Sequence, residues 1–190
     1  MKKEFYFKAA NILYKHRIKK SGLENLPKNC IPKNVNDSYS IQNELKMLYL
    51  KSKNNYLIGK KIGCTNNLAQ KQLNVKEPFY GNLFSKYSDY SGCKLSSDEF
   101  YNPYFEPECS FQIKKDIDIS KGPFKKKDLP NIIDSIIPSI EIVDFRFKKN
   151  IKSIGIFNLI ASNGASEYWI KSKKKYNLNE TDLSNLKVKV

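Results

Sequence analysis

A proline between two glutamates, within a run of aromatic and aliphatic residues, constrains the fold of this chain more than any other feature. Residues 104–114 show the alternation that predicts a β-strand. Because side chains alternate across a strand, Glu106 and Glu108 are expected on one face and Pro107 on the other. Proline cannot donate a ladder hydrogen bond, so this strand is predicted to lie at a sheet edge or to be bulged at Pro107.

The two glutamates require either solvent or a cation, because like charges at this spacing repel each other inside a protein. A third carboxylate, Glu141, lies between aliphatic residues in a second predicted strand. Asp144 and Arg146 share the opposite face of that strand and are expected to pair, which leaves Glu141 without a partner. Three carboxylates with few bases nearby suit a hard cation such as Mg²⁺ or Mn²⁺. Solvated acids on an edge strand remain the alternative at this point.

The order of the predicted elements, helices first and strands later, indicates an α+β fold. We expect one domain over residues 1–190, with a helical N-terminal region at 1–55 and a sheet-rich body at 56–190. Helices are predicted for residues 4–19, from a cap at Asp37 or Ser38 to about 53, from a cap at Thr65 to 73, for 125–136 and for 152–160. Strands are predicted for residues 56–63, 104–114, 140–147, 168–170 and 183–190, with a polar loop at 171–181.

The net charge of +15 would suit nucleic acid or an anionic membrane surface, but the type of basic residue argues against both. Only Arg17 and Arg146 are arginines, and the lysines are spread along the whole chain. Nucleic-acid surfaces favour arginine for bidentate contacts, whereas abundant Lys, Asn and Ile are typical of an A/T-rich coding sequence. We therefore expect neither nucleic acid nor a membrane as a partner, although the positive field favours a small anion.

Cysteine usage and the N-terminus predict a cytoplasmic protein. The four cysteines, at positions 30, 64, 93 and 109, are far apart, with neither a Cys-x-x-Cys motif nor paired histidines. This spacing predicts reduced thiols rather than a zinc site or a disulfide framework. No apolar run approaches the ~18 residues of a membrane span, and residues 1–8 lack the apolar stretch of a signal peptide.

Six short motifs, in the same order along the chain, resemble those of the 2-oxo-4-pentenoate hydratase family in the fumarylacetoacetate hydrolase superfamily. The motifs are DSYSIQ at 37–42, GKKIGCT at 59–65, EPFYG at 77–81, EPECSF at 106–111, SIEIVDFR at 139–146 and ASNGAS at 161–166. The family also includes 4-oxalocrotonate decarboxylases and 2-oxohept-4-ene-1,7-dioate hydratases. Because the motifs span nearly the whole chain, the resemblance covers both predicted regions.

The resemblance implies a fold, a cofactor and a set of site residues. The fold would be a mixed β-roll or barrel-like body preceded by a small helical region, and the cofactor would be Mg²⁺ or Mn²⁺. The implied site residues are the metal ligands Glu106, Glu108 and Glu141, the catalytic Lys61, and the substrate-contacting Tyr80, Gly81 and Ser166.

The implied activity is that of a metal-dependent lyase acting on a small anionic 2-oxo acid. The expected reaction is hydration of 2-hydroxypenta-2,4-dienoate (2-oxo-4-pentenoate) to a 4-hydroxy-2-oxo acid, in which Lys61 would position the carboxylate or transfer a proton. Alternatives are decarboxylation of the 4-oxalocrotonate type, hydrolysis of an acylpyruvate, and a truncated relative that binds without turnover. Hydrolysis usually requires a histidine near the metal, and the only histidine, His16, is expected on the surface of the first helix.

Three departures from the family pattern accompany the resemblance. Phe79 stands where the family turn usually carries an aspartate proposed to help in proton transfer, and Ser162 replaces a second aspartate. The substrate-contacting serine of the family aligns with Ala165 or, after a shift of one residue, with Ser166. Family members also continue well beyond the position of Val190, with strands that complete the body. We therefore expect either a fragment or a protomer that closes its sheet by forming a homo-oligomer.

Overall fold

A computed structural model describes residues 2–186 of the chain, and five helices lie within that range. The first two are the longest and pack against each other, and the second also packs against the last one. The helices are α1 Lys2–Ile18, α2 Val35–Leu50, α3 Asn67–Leu73, α4 Leu129–Ile132 and α5 Ile151–Ala161. The apolar core lies between α1, α2 and α5 and includes Ile41, Leu45 and Leu159. Within residues 2–186, no helix is long and apolar enough to cross a membrane.

Seven strands, all within the described part of the chain, form two sheets. They are β1 Leu57–Gly63, β2 Phe79–Phe84, β3 Ser88–Tyr90, β4 Pro103–Ile113, β5 Ile133–Asp144, β6 Ser166–Lys171 and β7 Tyr176–Asn177. β1 and β2 form an antiparallel ribbon, and the larger sheet has the order β3-β6-β5-β4, with β7 also paired to β5. Only β3 and β6 run parallel among these pairs. The fold is therefore mixed α+β, as the order of predicted elements indicated.

β4 occupies an edge of the larger sheet, which confirms the prediction made from Pro107. Among the described strands it pairs only with β5, over its whole length. Pro107 lies opposite Ile140 in this ladder, and Glu106 lies opposite Glu141. The absent N–H of a proline matters little at an edge, because one side of the strand has no neighbouring strand to bind.

Two helices begin at positions other than those predicted, in both cases because an asparagine provides the cap. The Asn34 side chain accepts a hydrogen bond of 2.9 Å from the Asp37 N–H, so the predicted cap at Asp37 or Ser38 was wrong. The cap of α3 is Asn66, one residue after the predicted Thr65, and its side chain accepts a hydrogen bond of 2.8 Å from the Ala69 N–H. Asparagine is as good an N-cap as aspartate or serine, so residue type alone did not decide between neighbouring candidates.

The predicted helix over residues 125–136 was largely wrong, since α4 is a single turn. β5 begins at Ile133, which pairs with Ile113 of β4, so the aliphatic residues that suggested a helix belong to a strand. The loop predicted at 171–181 contains the short strand β7. Of the strand predicted at 183–190, residues 183–185 form a 3₁₀ turn instead, and residues 187–190 lie outside the described part of the chain.

A chain of buried charges connects α1 to the larger sheet. Arg17 Nε lies 3.1 Å from Glu167 Oε1, and the same carboxylate oxygen lies 3.1 Å from Arg146 Nη2. Arg146 Nη2 also lies 2.9 Å from Asp144 Oδ2, which confirms the predicted pairing of these two residues. Breaking a buried pair leaves an uncompensated charge, so this network fixes the position of α1 against β6.

Candidate metal centre and active site

Three carboxylates, contributed by β4 and β5, form a cluster on one face of the larger sheet. Glu106 lies directly opposite Glu141, and Glu108 follows two residues along β4, so strand alternation brings all three to the same face. One carboxylate oxygen from each residue lies within 4.8 Å of the other two. Glu141 is 4% exposed, whereas Glu106 and Glu108 are exposed on the edge strand. The structure therefore brings together the three carboxylates that were singled out from two separate motifs.

Lys61 joins this cluster from the ribbon formed by β1 and β2. Its Nζ lies 3.0 Å from Glu141 Oε2, and the two side chains are only 9% and 5% exposed. The Lys61 backbone pairs with Gly81, where the absence of a side chain makes room for the lysine stem. A Cβ on Gly81 would lie 3.1 Å from Lys61 Cγ. The lysine from one sheet and the carboxylates from the other thus meet in a single site.

The electrostatics of this cluster fit a divalent cation. Although both residues are exposed on the edge strand, partial desolvation raises the pKa of the Glu106 carboxyl group; Lys61 opposes this shift, and the charge of Glu141 adds to it. Partial desolvation also raises the pKa of Glu108, and the charges of Glu141 and Glu106 raise it further. Glu141 Oε1 is buried and has no hydrogen-bond partner among the described residues. Three crowded carboxylates, one of which has an unpartnered buried oxygen, match the oxygen ligands of a hard cation.

The cluster lies on the wall of a cavity of about 780 Å³, a volume in the range of small-molecule sites. Lys61, Glu106 and Glu108 line it, and Lys148 and Lys149 also contribute to its wall. The apolar part of the wall includes Phe79, Phe105, Val143, Phe145 and Leu159. A cavity with charged groups beside apolar ones suits a small anion that has a hydrocarbon portion.

The three residues implied as substrate contacts lie outside the lining of this cavity. The Tyr80 ring stacks on Tyr39, with centroids 4.4 Å apart and an interplanar angle of 16°. Gly81 lies behind the stem of Lys61, as described above. Ser166 is 6% exposed, and its carbonyl oxygen accepts a hydrogen bond of 2.9 Å from Arg17 Nη1 on α1. Roles for these residues in substrate binding remain predictions.

Two apolar residues line the cavity where the family motifs led us to expect polar groups. Phe79 is 7% exposed and packs against Gly164. Ala165 also lines the wall, in a turn where Asn163, Gly164 and Ala165 all have positive φ, at 64°, 63° and 59°. Of the two alignments considered for the family serine, the unshifted one therefore places Ala165 at the wall. The Asn-Gly pair predicted a turn here, but not three consecutive left-handed residues.

Sequence reasoning missed a thiol at the site and correctly placed the histidine elsewhere. Cys64 lines the cavity, and burial raises the pKa of its thiol; Lys61 opposes the shift, while Glu106 adds to it. A thiol with a raised pKa stays protonated at neutral pH. His16, the only histidine of the chain, lies on α1 with its Nδ1 3.1 Å from Ser21 Oγ, and it is absent from the cavity lining.

Comparison with known proteins identifies the family, although no protein-family model matches the chain. The TodF product hydratase of Pseudomonas putida F1 is 32% identical over 165 residues, which cover 86% of this chain and 59% of that protein. A 2-keto-4-pentenoate hydratase of Paraburkholderia xenovorans is 29% identical over 154 residues, which cover 80% of this chain and 54% of that protein. The chain belongs to the 2-keto-4-pentenoate hydratase family. It spans little more than half the length of these hydratases.

The fold of this hydratase-family chain also matches a solved structure. A 4-oxalocrotonate decarboxylase from Pseudomonas putida G7, complexed with magnesium and adipate, superposes with a TM-score of 0.84 at 24% identity. The match covers 95% of this chain and 66% of the decarboxylase. The two proteins therefore share a fold over nearly all of the chain described here.

Proposed function

We propose that this member of the hydratase family is a metal-dependent lyase that hydrates 2-hydroxypenta-2,4-dienoate, or a related 2-oxo acid, to a 4-hydroxy-2-oxo acid. The observation that carries the proposal is the convergence of Glu106, Glu108, Glu141 and Lys61 in one cluster, of which Glu106, Glu108 and Lys61 line the cavity. These residues come from three strands and two sheets, so local sequence does not require them to meet. The two hydratases with 29% and 32% identity support the same reaction.

We assign Glu106, Glu108 and Glu141 as ligands of a divalent cation, Mg²⁺ or Mn²⁺. All the donor atoms are carboxylate oxygens, which these hard cations prefer. A cation held there would polarise the 2-oxo group of the substrate as a Lewis acid. The decarboxylase with the same fold was solved with magnesium, which supports a divalent metal at the corresponding place in this chain.

Lys61 is the residue best placed to bind the substrate carboxylate or to move a proton. Its stem is buried, and its ammonium group is fixed 3.0 Å from Glu141 at the cavity wall. Hydration requires one proton to leave the attacking water and one to reach a substrate carbon. The Phe79 ring cannot exchange protons, so we assign at least one of these transfers to Lys61.

Decarboxylation of a vinylogous 2-oxo acid is the second candidate reaction, and Phe79 is the observation that favours it. Loss of carbon dioxide leaves a dienolate that needs one proton, on oxygen or on carbon, whereas hydration also requires a base for the attacking water. A site with an apolar ring at position 79 therefore suits decarboxylation, which requires fewer proton transfers than hydration. The decarboxylase that shares the fold was solved with adipate, a dicarboxylate, which is consistent with a substrate bearing a second acid group.

The other parts of the proposal concern the chain as a whole. An acylpyruvate hydrolase is disfavoured because His16 lies on α1, away from the cavity lining. We further propose a single domain over residues 1–190, a β-roll or barrel-like body, a cytoplasmic location and a homo-oligomer. The remaining alternative is that the chain binds metal but does not turn over a substrate, and an activity assay distinguishes this from a working enzyme.

The decisive experiment follows the ultraviolet absorbance of 2-hydroxypenta-2,4-dienoate with the purified chain, with Mg²⁺ or with a chelator. We expect magnesium-dependent decay beyond spontaneous ketonisation, lost in Glu106→Gln and kept in Glu99→Gln, an exposed glutamate away from the cavity. Carbon dioxide release from 4-oxalocrotonate, measured in parallel, identifies the decarboxylase. Decay that persists unchanged in Glu106→Gln or in chelator would contradict the assigned metal site.

A further inference from the structure

Three buried side-chain amides connect separate elements behind the active-site lysine. Asn163 is 1% exposed, and its Oδ1 accepts hydrogen bonds from the backbone N–H of Asn82 at 2.7 Å and from Asn82 Nδ2 at 3.1 Å. In return, Asn163 Nδ2 donates to the Asn82 carbonyl oxygen at 3.0 Å. Asn82 Nδ2 also donates to Gln42 Oε1 at 3.2 Å. Gln42 Nε2 in turn donates to the Tyr80 and Ile160 carbonyl oxygens, both at 2.9 Å.

Gln42 and Asn163 belong to two of the family-like motifs, yet neither lines the cavity. Together with Asn82, they form what we call the amide relay, which ties α2, β2 and the end of α5 to the turn at residues 163–165. Buried amides with satisfied hydrogen bonds specify one arrangement of the chain, because every alternative leaves a donor or acceptor without a partner. The relay therefore has the means to hold this turn in a single conformation.

The turn needs such support, because its conformation is costly and its position is tight. Asn163, Gly164 and Ala165 all adopt the left-handed region, which disfavours residues with a Cβ. Gly164 packs directly on the lysine: a Cβ there would lie 3.2 Å from Lys61 Cε and 2.9 Å from the Phe79 ring. On the other side, a Cβ on Gly81 would clash with the Asn163 carbonyl oxygen and crowd the Lys61 stem.

We propose that Gln42, Asn82 and Asn163 are positioning residues for Lys61. Their amides hold the left-handed turn against β2, and the turn confines the lysine stem between Gly81 and Gly164. The stem then has one course open to it, which ends with Nζ on Glu141. The three residues act through the lysine and contact neither metal nor substrate. The inference rests on the proposed function only for the chemical role of Lys61.

The test measures how well Lys61 is protected, which requires neither turnover nor metal. Brief reductive methylation in chelator, followed by mass spectrometry, gives the labelling rate of Lys61 relative to the exposed Lys53. The key variant is Asn163→Gly, because glycine tolerates the φ of 64° and so removes the amide without adding backbone strain. The matched control is Asn55→Ala. Asn55 is also buried, and its side chain makes three hydrogen bonds, with Tyr49, Ser85 and Lys86, none of which involves Lys61.

We expect the relative labelling of Lys61 to rise about tenfold in Asn163→Gly, because the loss of a few buried hydrogen bonds makes local opening easier by about that factor. In Asn55→Ala the ratio stays at the wild-type value even though the melting temperature falls. Equal ratios in the two variants, with comparable losses of stability, would overturn the proposal. If Asn163→Gly does not fold, Asn163→Ser, which keeps one hydrogen-bonding group, is measured in the same way and judged by the same criterion.

Where the hydratase activity is present, Asn163→Gly should lower kcat more than it weakens Mg²⁺ binding, because the hydrogen bonds described for the amide relay do not involve β4 or β5, the strands that carry the carboxylates. If no activity is found in the wild-type chain, the labelling ratio still decides the positioning role. Failure of the proposed function and failure of the amide relay therefore give different results.

Discussion

The buried contact between Lys61 and Glu141 leads to a prediction that separates stability from metal binding. Glu141→Gln keeps the shape of the side chain but removes the charge 3.0 Å from Lys61 Nζ, and the lysine side chain stays only 9% exposed. Removing one partner of a buried pair costs about 3–5 kcal/mol, because the remaining charge has no compensation. Glu106 and Glu108 lie close enough to compensate partly, so we expect the lower end, about 3 kcal/mol, in the free energy of unfolding without metal.

The double variant Lys61→Met/Glu141→Gln tests whether this loss comes from the unpaired charge. Methionine keeps an apolar stem of similar course, and both charges are absent, so stability should return to within about 1 kcal/mol of the wild type. The response to Mg²⁺ should not return. A ligand at a hundred times its Kd stabilises the folded state by about 2.7 kcal/mol, and a variant without the third carboxylate loses most of that gain.

Chemical denaturation in chelator and in excess Mg²⁺, on the wild type, the single variant, the double variant and Glu99→Gln, measures all these quantities. For a chain of this size, about 3 kcal/mol corresponds to a decrease in Tm of roughly 6–12 °C, which thermal unfolding checks independently. The reasoning is refuted if Glu141→Gln is as stable as the wild type in chelator. It is refuted equally if Glu141→Gln keeps the full magnesium stabilisation, because Glu141 would then not be a ligand.

Three further substitutions follow from the same contacts. Glu106→Gln should weaken Mg²⁺ binding at least about tenfold in a calorimetric titration, yet change the unfolding free energy by less than about 1 kcal/mol, because the side chain is exposed. Ala165→Gly should raise the free energy of unfolding slightly in urea, since relief of about 1–2 kcal/mol of left-handed backbone strain exceeds the entropy cost of glycine. The control Ala161→Gly, at the helical end of α5, should lower it. Arg17→Met should cost about 3 kcal/mol, because the buried Glu167 keeps only one of its two arginine partners, and a Tm within experimental error of the wild type would contradict that estimate.

Features that depend on local chemistry were predicted well from the sequence. Strand alternation placed Glu106 and Glu108 on one face, and the missing N–H of Pro107 predicted an edge strand or a bulge, of which the structure shows the edge. The spacing of Asp144 and Arg146 predicted their pairing. Each of these inferences depends on the two-residue alternation of side chains in a strand or on whether a residue has a backbone N–H, and both are known from the sequence alone. The metal-ligand and catalytic roles, in contrast, came from the resemblance and remain proposals.

The errors occur where distant partners decide between local alternatives. Residues 132–137 are mostly aliphatic and suit either a helix face or a buried strand, and pairing of Ile133 with Ile113 selects the strand. Helix starts shifted because several good cap residues stand within one turn of each other. Nothing in a short window shows which apolar segment will find a partner strand, so tertiary pairing overrides the local preference.

The same distinction explains the substrate-contacting residues. Tyr80 and Gly81 are neighbours in a strand and must point to opposite faces, so at most one of them can face the lysine side of the ribbon. Gly81 takes that face, where its lack of a side chain admits the stem of Lys61, and Tyr80 stacks on Tyr39 instead. Aligning a family motif with this chain shows which residue occupies each position, but it does not show the direction in which that side chain points. In this chain, the next residue along the strand, Asn82, is hydrogen-bonded to Asn163, about 80 residues later, so contacts of the fold help to decide which face of the strand each neighbour takes.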